Sequence, residues 1–213
     1  MVEVSPRHAA AAAYVAAAVN LTAGLVMLLA LRHGIPAGES DLPARIAYVT
    51  GHTVTWRLGW LIWNLAAISL LGFFVALASQ WRDRAPILCE LALLCAAGGL
   101  AADLGAETIL VAVSPGLTGE TYATVESVAV ALTGYLGNGL YAVAGILLTW
   151  AGRRELPPRL LWLAVAVWVA AIWLSVATLA SSAAGQFASA AVLMPLFVLW
   201  AGLTGRWLST RAS

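Results

Sequence analysis

The chain has 213 residues; 62% of them are hydrophobic, 10% are charged, and the mean hydropathy is +0.90. This composition excludes an ordinary soluble domain, a disordered chain and, with only two cysteines, a disulfide scaffold. The basic residues, all of them arginine, exceed the acidic ones by one charge, 11 against 10, which argues against a nucleic-acid partner. The chain is therefore predicted to be an integral membrane protein.

Runs of about twenty apolar residues predict a single transmembrane domain, residues 1–213, built from six helices. Pro86 opens the third run, and Pro157 and Pro158 separate the fourth from the fifth. The runs lack the period-two alternation of a membrane β-barrel, so the predicted fold is an all-α polytopic bundle. In chain order the predicted spans cover residues 9–31, 58–79, 86–113, 122–150, 159–180 and 186–206.

The placement of arginine predicts an orientation with both termini in the cytoplasm, as a multi-pass protein of a bacterial inner membrane. Arginines precede the first span, lie between spans two and three and between spans four and five, and follow the sixth span. The positive-inside rule assigns that side to the cytoplasm. The opposite, exoplasmic side has a long loop, residues 32–57, where Arg32, Arg45 and Arg57 depart from the rule.

Polar side chains on the second span are the first candidates for a functional site. Arg57, Trp60 and Asn64 are spaced i, i+3 and i+7, so they share one helix face that starts at the outer boundary. Ionisable groups within a span cost roughly 2.5–3.5 kcal/mol each on insertion, and they therefore face protein, water or one another. Trp56 and Trp63 flank this face and are expected at the mouth of a pocket.

Three carboxyl groups on the next two spans are predicted to complete that pocket. Asp103 and Glu107 are spaced i, i+4 on the third span, and Glu126 lies near the outer end of the fourth, with Thr133 expected on the same face. Because Arg57 can balance only one carboxylate, at least one carboxyl is expected to hold a proton or to reach water. A more conservative interpretation is a structural ion-pair cluster on spans two and three, with Glu126 extending to the interface.

His52, near the predicted mouth, is a candidate proton acceptor and ligand contact, together with the neighbouring Tyr48. A lone interfacial histidine is more often only hydrogen-bonded. There is no Glu-x-x-His motif, and none of the three histidines lies deep in a span, so neither a metal nor a cofactor is expected.

Other polar positions are interpreted as packing. Gly134, Asn138, Tyr141 and Gly145 form a small and polar stripe on the fourth span, which permits close helix contact with hydrogen bonds across it. Glu90 lies one turn inside the cytoplasmic end of the third span and is expected to pair with an arginine of the preceding loop.

Three stretches of the chain resemble known sequences. They are Ala23-Gly24 in the opening helix, Arg45-Ile46-Ala47 through Trp56-Arg57-Leu58-Gly59, and Gly134-Tyr135-Leu136-Gly137 running to Leu156-Pro157-Pro158-Arg159-Leu160-Leu161-Trp162. On these stretches most of the chain, about residues 10 to 180, resembles a family of bacterial multi-pass membrane proteins known only as a domain of unknown function. The resemblance implies a small polytopic helical bundle and supplies neither an activity nor catalytic residues.

The predicted pocket favours proton-linked binding or transport of a small amphipathic molecule. The alternative is a membrane-embedded enzyme that acts on a lipid or isoprenoid, in which Asp103, Glu107 and Glu126 would supply the acid and base. A third hypothesis is a non-catalytic subunit of a membrane complex, with another membrane protein or a second copy of the chain as partner. Membrane lipids and a small amphipathic or lipid-like ligand are the expected contacts otherwise.

Overall fold

The computed structural model describes residues 4–211, and six helices in this part are long and apolar enough to cross a membrane. This confirms the all-α class and the predicted number of spans. The helices are α1 (Pro6–Leu29), α2 (Leu42–Gly51), α3 (Thr53–Trp81), α4 (Pro86–Thr108), α5 (Gly119–Val130), α6 (Asn138–Gly152), α7 (Pro158–Leu179) and α8 (Ala183–Thr210).

Two of the six spans contain π-helical segments. The third span continues beyond α4 through a π-helical segment, Ile109–Val113, and a 3-10 turn, Ser114–Gly116. In the fourth span, α5 and α6 are joined by a longer π-helical segment, Ala131–Gly137, near the middle of the membrane-spanning length. A π-helix has i→i+5 hydrogen bonds and therefore more residues per turn, so it rotates the side chains that follow relative to a regular helix.

Local sequence signals explain where several helices begin. The side chains of Ser5, Asp41 and Ser182 accept hydrogen bonds from backbone N–H groups in the first turns of α1, α2 and α8. Pro86 and Pro158 stand in the first turns of α4 and α7, where a missing N–H costs no hydrogen bond. The predicted loop, residues 32–57, differs from expectation, because it contains α2 and the beginning of α3.

The six spans form a closed ring in chain order. Each span packs against the spans before and after it, and α8 returns to pack against α1. Successive spans are antiparallel, so α1 begins and α8 ends at the same end of the bundle, called here the terminal end. The helix α2 lies at the opposite end, the α2 end, where it contacts α3 and α5. Large apolar side chains such as Leu29, Leu94 and Trp162 are exposed on the outside of the ring, where lipid tails would cover them.

The core is divided into two hydrophobic clusters along the membrane normal. The cluster toward the terminal end is built around five aromatic rings, with the centroids of packed pairs 5.1 to 6.5 Å apart, a spacing typical of favourable ring contacts. These rings are Phe73, Phe74, Trp168, Phe197 and Trp200. The cluster toward the α2 end contains Val49, Trp56, Trp60, Leu110 and Tyr122.

Ion pairs stabilise the terminal end of the bundle. Arg82 pairs with Glu90 at 2.9 Å, which confirms the expected partner of that carboxylate in the loop before the third span. Glu155 receives both Arg84 and Arg211, the latter at 2.9 Å, and so connects three separate parts of the chain. The arginine side chains of these pairs are 31 to 70% exposed, and ion pairs open to solvent contribute about 1 kcal/mol or less each.

Candidate functional site

A cavity of about 140 Å³ lies inside the ring, in the layer between the two hydrophobic clusters. Every one of the six spans contributes to its wall, and the wall is mostly apolar with a few polar groups, as in small-molecule sites. It is lined by Asn20, Trp63, Ala66, Ala67, Leu70, Asp103, Thr133, Gly134, Asn138, Tyr141, Ala142, Trp168, Ala171, Leu174, Leu193, Met194 and Phe197.

Asp103 is the ionisable acid of the cavity wall. Asp103 is only 6% exposed, and its Oδ1 atom has no hydrogen-bond partner among residues 4–211. The hydroxyl-bearing side chains of Thr133 and Tyr141 lie close enough to interact with the carboxyl, although the Tyr141 hydroxyl makes no hydrogen bond of ordinary geometry. Gly137 makes room for the carboxyl, because a Cβ atom there would lie 2.5 Å from Asp103 Oδ1.

Glu107, one turn further along α4, is fully buried beside Asp103. Neither of its carboxyl oxygens has a hydrogen-bond partner in the described part of the chain. Neither carboxyl has an ion pair with an arginine there, and the cavity wall contains no basic residue. Since an isolated buried charge is very costly, each carboxyl must be neutralised by a proton or a cation, or be solvated by water.

Metal binding has little structural support. Within residues 4–211, no three side chains of His, Cys, Asp or Glu come together as a protein metal site would require. Asp103 and Glu107 are a pair of carboxyls without a third ligand of these types. Two adjacent buried carboxyls can exchange protons and bind a cationic or hydrogen-bond-donating group.

Two asparagines of the cavity wall hold neighbouring helices together. Asn138 Nδ2 donates to the carbonyl oxygen of Ala171 at 2.6 Å and to Ser175 Oγ at 2.8 Å, both on α7. Asn20 Nδ2 donates within α1 at 2.9 Å and to Ser69 Oγ of α3 at 3.3 Å.

Aromatic rings supply much of the apolar wall. Trp63, Trp168 and Phe197 come from three different spans. Trp168 is fixed in place, since its Nε1 atom donates to Thr149 Oγ1 at 2.8 Å and its ring lies directly against Gly145, where a Cβ atom would collide with it. The ring is thus a rigid surface of the cavity.

Glu126 is placed differently from the sequence-based prediction. It forms a buried, bidentate ion pair with Arg45 of α2, with distances of 3.0 and 2.8 Å, and it does not line the cavity. Arg45 also donates to the carbonyl oxygens of Glu39 and Ser40 at 2.9 and 3.0 Å. The alternative in which Glu126 extends to the interface is therefore wrong, because its side chain is only 4% exposed. The pair instead fastens α2 to the fourth span.

Arg57 does not serve as the counter-charge of the carboxyls. Its side chain is exposed, and its Nε atom donates to the carbonyl oxygen of Val111 at 3.2 Å. Trp56 makes a similar bond from Nε1 to the Leu110 carbonyl at 2.7 Å. Both acceptors belong to the π-helical segment of the third span. Arg57 and Trp56 thus satisfy backbone groups of that distorted helix, which membrane proteins commonly achieve with neighbouring side chains.

The remaining predicted ligand residues also lie outside the cavity wall. Asn64 donates back to the Trp60 carbonyl at 3.1 Å, and Trp60 itself is buried in the cluster toward the α2 end. His52 is exposed and stacks on Tyr48 with a centroid distance of 4.6 Å, with its Nδ1 atom 3.1 Å from the Tyr48 carbonyl. Burial raises the pKa of the Tyr48 hydroxyl, so this ring stays neutral near pH 7. These contacts agree with the interpretation of His52 as an interfacial histidine that is only hydrogen-bonded.

Of the predicted site residues, Asp103 lines the cavity and Glu107 adjoins it. The stripe on the fourth span does pack against α7, but Asn138 and Tyr141 also line the cavity, which the sequence-based interpretation missed. Asn20 was missed as well. The only available signal was a polar residue inside an apolar run.

Comparison with known proteins finds no matching family model, no similar curated protein and no similar solved structure. The resemblance to a family of bacterial membrane proteins stays a prediction. A functional conclusion consequently depends on the geometry and chemistry of the cavity.

Proposed function

We propose that this protein binds a small molecule in its intramembrane cavity and couples that binding, or transport across the membrane, to protonation of Asp103 and Glu107. The observation that carries the proposal is the pair of buried carboxyls at the cavity, with no arginine bonded to either one among residues 4–211. Ionisable groups inside membrane proteins commonly mark proton and substrate pathways.

Proton coupling follows from the cost of charge in this layer. Without a ligand, protons neutralise the carboxyls, because two adjacent carboxylates in an apolar bundle repel each other and lack a counter-charge. A ligand that bonds to Asp103 in its ionised form displaces one proton. By thermodynamic linkage, a proton then weakens binding of the ligand by the same factor as the ligand weakens binding of the proton.

The position of the cavity supports transport within this class of function. Secondary transporters place substrate and coupling-ion sites near the bilayer midplane, between bundles that can move relative to each other. The π-helical segment Ala131–Gly137 contributes Thr133 and Gly134 to the wall. Such segments are frequent at functional sites, because their hydrogen-bond register can shift more easily than that of an α-helix.

The size of the cavity disfavours a lipid-modifying enzyme. An engineered protein cavity of about 150 Å³ holds benzene, so a similar volume here is too small for an isoprenoid or an acyl chain. A small amphipathic molecule fits.

For the location, we propose a bacterial inner membrane with the terminal end in the cytoplasm. The terminal end carries the arginines in the first turn of α1, between α3 and α4, between α6 and α7, and at the end of α8. Of the three arginines at the α2 end, Arg45 is neutralised by Glu126 inside the protein. That pairing reduces the positive charge that opposes this orientation under the positive-inside rule.

Infrared difference spectroscopy of the protein in proteoliposomes, across a pH titration, tests the proton coupling. We expect a C=O band from a protonated carboxyl that the Asp103→Asn, Glu107→Gln double variant lacks. Glu90→Gln is the matched control, since Glu90 is on the same helix but is exposed and paired with Arg82 at 2.9 Å. An unchanged band in the double variant would overturn the assignment of the proton to this pair.

Native mass spectrometry from mild detergent tests the binding. The proposal expects a bound small molecule that is lost in Asp103→Asn and retained in Glu90→Gln. A bound molecule retained equally in all three proteins would refute the cavity as its site.

A further inference from the structure

We infer that the ligand of the cavity is a small organic cation, an ammonium compound of about six non-hydrogen atoms, which exchanges with a proton on Asp103. This inference rests on the proposed function and names the substrate class of the same site. It follows from the polar groups of the cavity, its charge, its aromatic wall and its volume, in four steps.

Most polar groups of the wall can accept a hydrogen bond from a ligand, and the hydroxyls of Thr133 and Tyr141 can accept as well as donate. The Nδ2 atoms of Asn20 and Asn138 donate to oxygen atoms of α1, α3 and α7, so their amide oxygens are the groups available to a ligand. Asp103 is an acceptor when ionised, and its Oδ1 atom is unpartnered. A ligand that donates hydrogen bonds satisfies these groups, whereas a carboxylate or phosphate would lie beside the acidic Asp103 with no basic residue in the wall.

The charge of the site points in the same direction. Asp103 is the ionisable acid in the wall, and no arginine, lysine or histidine belongs to it. A monocation bonded to Asp103 therefore makes the cavity neutral, and it replaces the proton that neutralises the carboxyl when the site is empty. One proton leaves for each cation that enters, so the charge inside the membrane is unchanged by the exchange.

The aromatic rings of the cavity wall also favour an ammonium ligand. Trp63, Trp168 and Phe197 surround the cavity from three spans, and Trp168 is held rigid by Thr149. Ammonium groups bind favourably over aromatic faces, most strongly over tryptophan, and sites for alkylated ammonium ions often combine several rings. Neutral polar ligands gain less from such rings.

The volume limits the size of the cation. A cavity of about 140 Å³ is close to the engineered cavity of about 150 Å³ that holds benzene, a molecule of six non-hydrogen atoms. A six-membered cyclic ammonium ion matches this size. A long-chain quaternary ammonium compound does not.

Two probes of nearly identical shape separate the charge of a ligand from its size. Piperidinium and tetrahydropyran are both saturated six-membered rings, but only piperidinium carries a positive charge and N–H donors. A charge-assisted hydrogen bond contributes about 1.5–3 kcal/mol, so wild-type protein should bind piperidinium roughly 10- to 150-fold more tightly. Isothermal titration calorimetry of the purified protein in detergent, at pH 8, measures both affinities.

The variant Asp103→Asn should abolish the preference, so that both rings bind with the affinity of tetrahydropyran. Glu90→Gln should keep it. Lowering the pH to 5 should weaken the binding of piperidinium to the wild type, because the higher proton concentration competes with piperidinium for Asp103 while piperidinium stays charged. Trp63→Leu provides a second variant away from the carboxyls and should reduce the affinity for piperidinium more than that for tetrahydropyran.

Equal affinities of the wild type for the two rings, or no binding of either, would overturn the inference, whatever the folding of the variants. A piperidinium preference that survives in folded Asp103→Asn would overturn the role of this carboxyl. Failure of the proposed function is distinguishable, since it would appear as an infrared carboxyl band and a bound molecule that are both insensitive to substitution of the pair.

Discussion

Replacing Glu126 by glutamine would leave the Arg45 guanidinium buried without its counter-charge. The side chain of Arg45 is only 8% exposed and that of Glu126 only 4%. Arg45 donates two hydrogen bonds to the Glu126 carboxylate, at 3.0 and 2.8 Å. Removing one partner of such a buried pair costs about 3–5 kcal/mol in the free energy of unfolding. Most of this cost is the uncompensated charge and not the value of the pair itself.

The double variant Arg45→Met, Glu126→Gln should recover most of that loss. It removes the charge and leaves mainly the two lost bonds from Arg45 to the carbonyls of Glu39 and Ser40, about 1–2 kcal/mol together. Unfolding with sodium dodecyl sulfate in mixed micelles, followed by tryptophan fluorescence, gives the free energies for the double-mutant cycle.

The exposed pair Arg82–Glu90 is the matched control, with the same residue types and a distance of 2.9 Å. Glu90→Gln should change the free energy of unfolding by about 1 kcal/mol or less, because solvent screens this pair. Additive costs for Arg45→Met and Glu126→Gln, or equal costs for Glu126→Gln and Glu90→Gln, would refute the reasoning from burial.

Three further substitutions test the packing around the cavity, each by the same unfolding assay. Gly137→Ala should cost about 1–3 kcal/mol, since its Cβ would collide with the Asp103 carboxyl, whereas Gly72→Ala, which faces open space, should cost nothing. Asn138→Ala loses its two bonds to α7 and should cost about 0.6–1.7 kcal/mol, the range of interhelical hydrogen bonds in membranes; no loss would show that the bonds are replaced by water or lipid. Trp168→Phe loses the bond to Thr149 and also packing against Phe74 and Trp200, so it should cost more than Asn138→Ala; an equal or smaller cost would contradict tight packing of the indole ring.

The six spans could be predicted from sequence because each is a local property, a long apolar run with prolines or polar residues at its ends. The helix α2 was missed, since ten residues are too few to stand out among loops, and its anchor Glu126 is 81 positions away from Arg45. Pairing at such separation depends on how the ring closes, which a single sequence does not specify. The sequence-based prediction took Arg57 as the counter-charge of the carboxyls, whereas the structure pairs Glu126 with Arg45.

The candidate site could be predicted only in part for a related reason. Asp103 and Glu107 lie on a regular helix, where i, i+4 spacing places two side chains on one face, so their proximity was foreseeable. Thr133 lies in the π-helical segment that begins at Ala131, so the period of a regular helix does not predict its direction relative to Glu126. Nothing in the residue types of this segment distinguishes it from an ordinary apolar helix.

Because α8 closes the ring, the bundle can be completed only after the last span has been inserted into the membrane. Spans that leave the translocon before α8 have a gap between α1 and α7, and α8 supplies Leu193, Met194 and Phe197 to the cavity wall. Until the sixth span arrives, that side of the cavity is open to lipid. Membrane proteases and chaperones would therefore meet a nascent chain whose cavity wall, with its polar groups, is exposed between α1 and α7. Slow insertion of α8 would lengthen the time during which this incomplete bundle can be recognised and degraded.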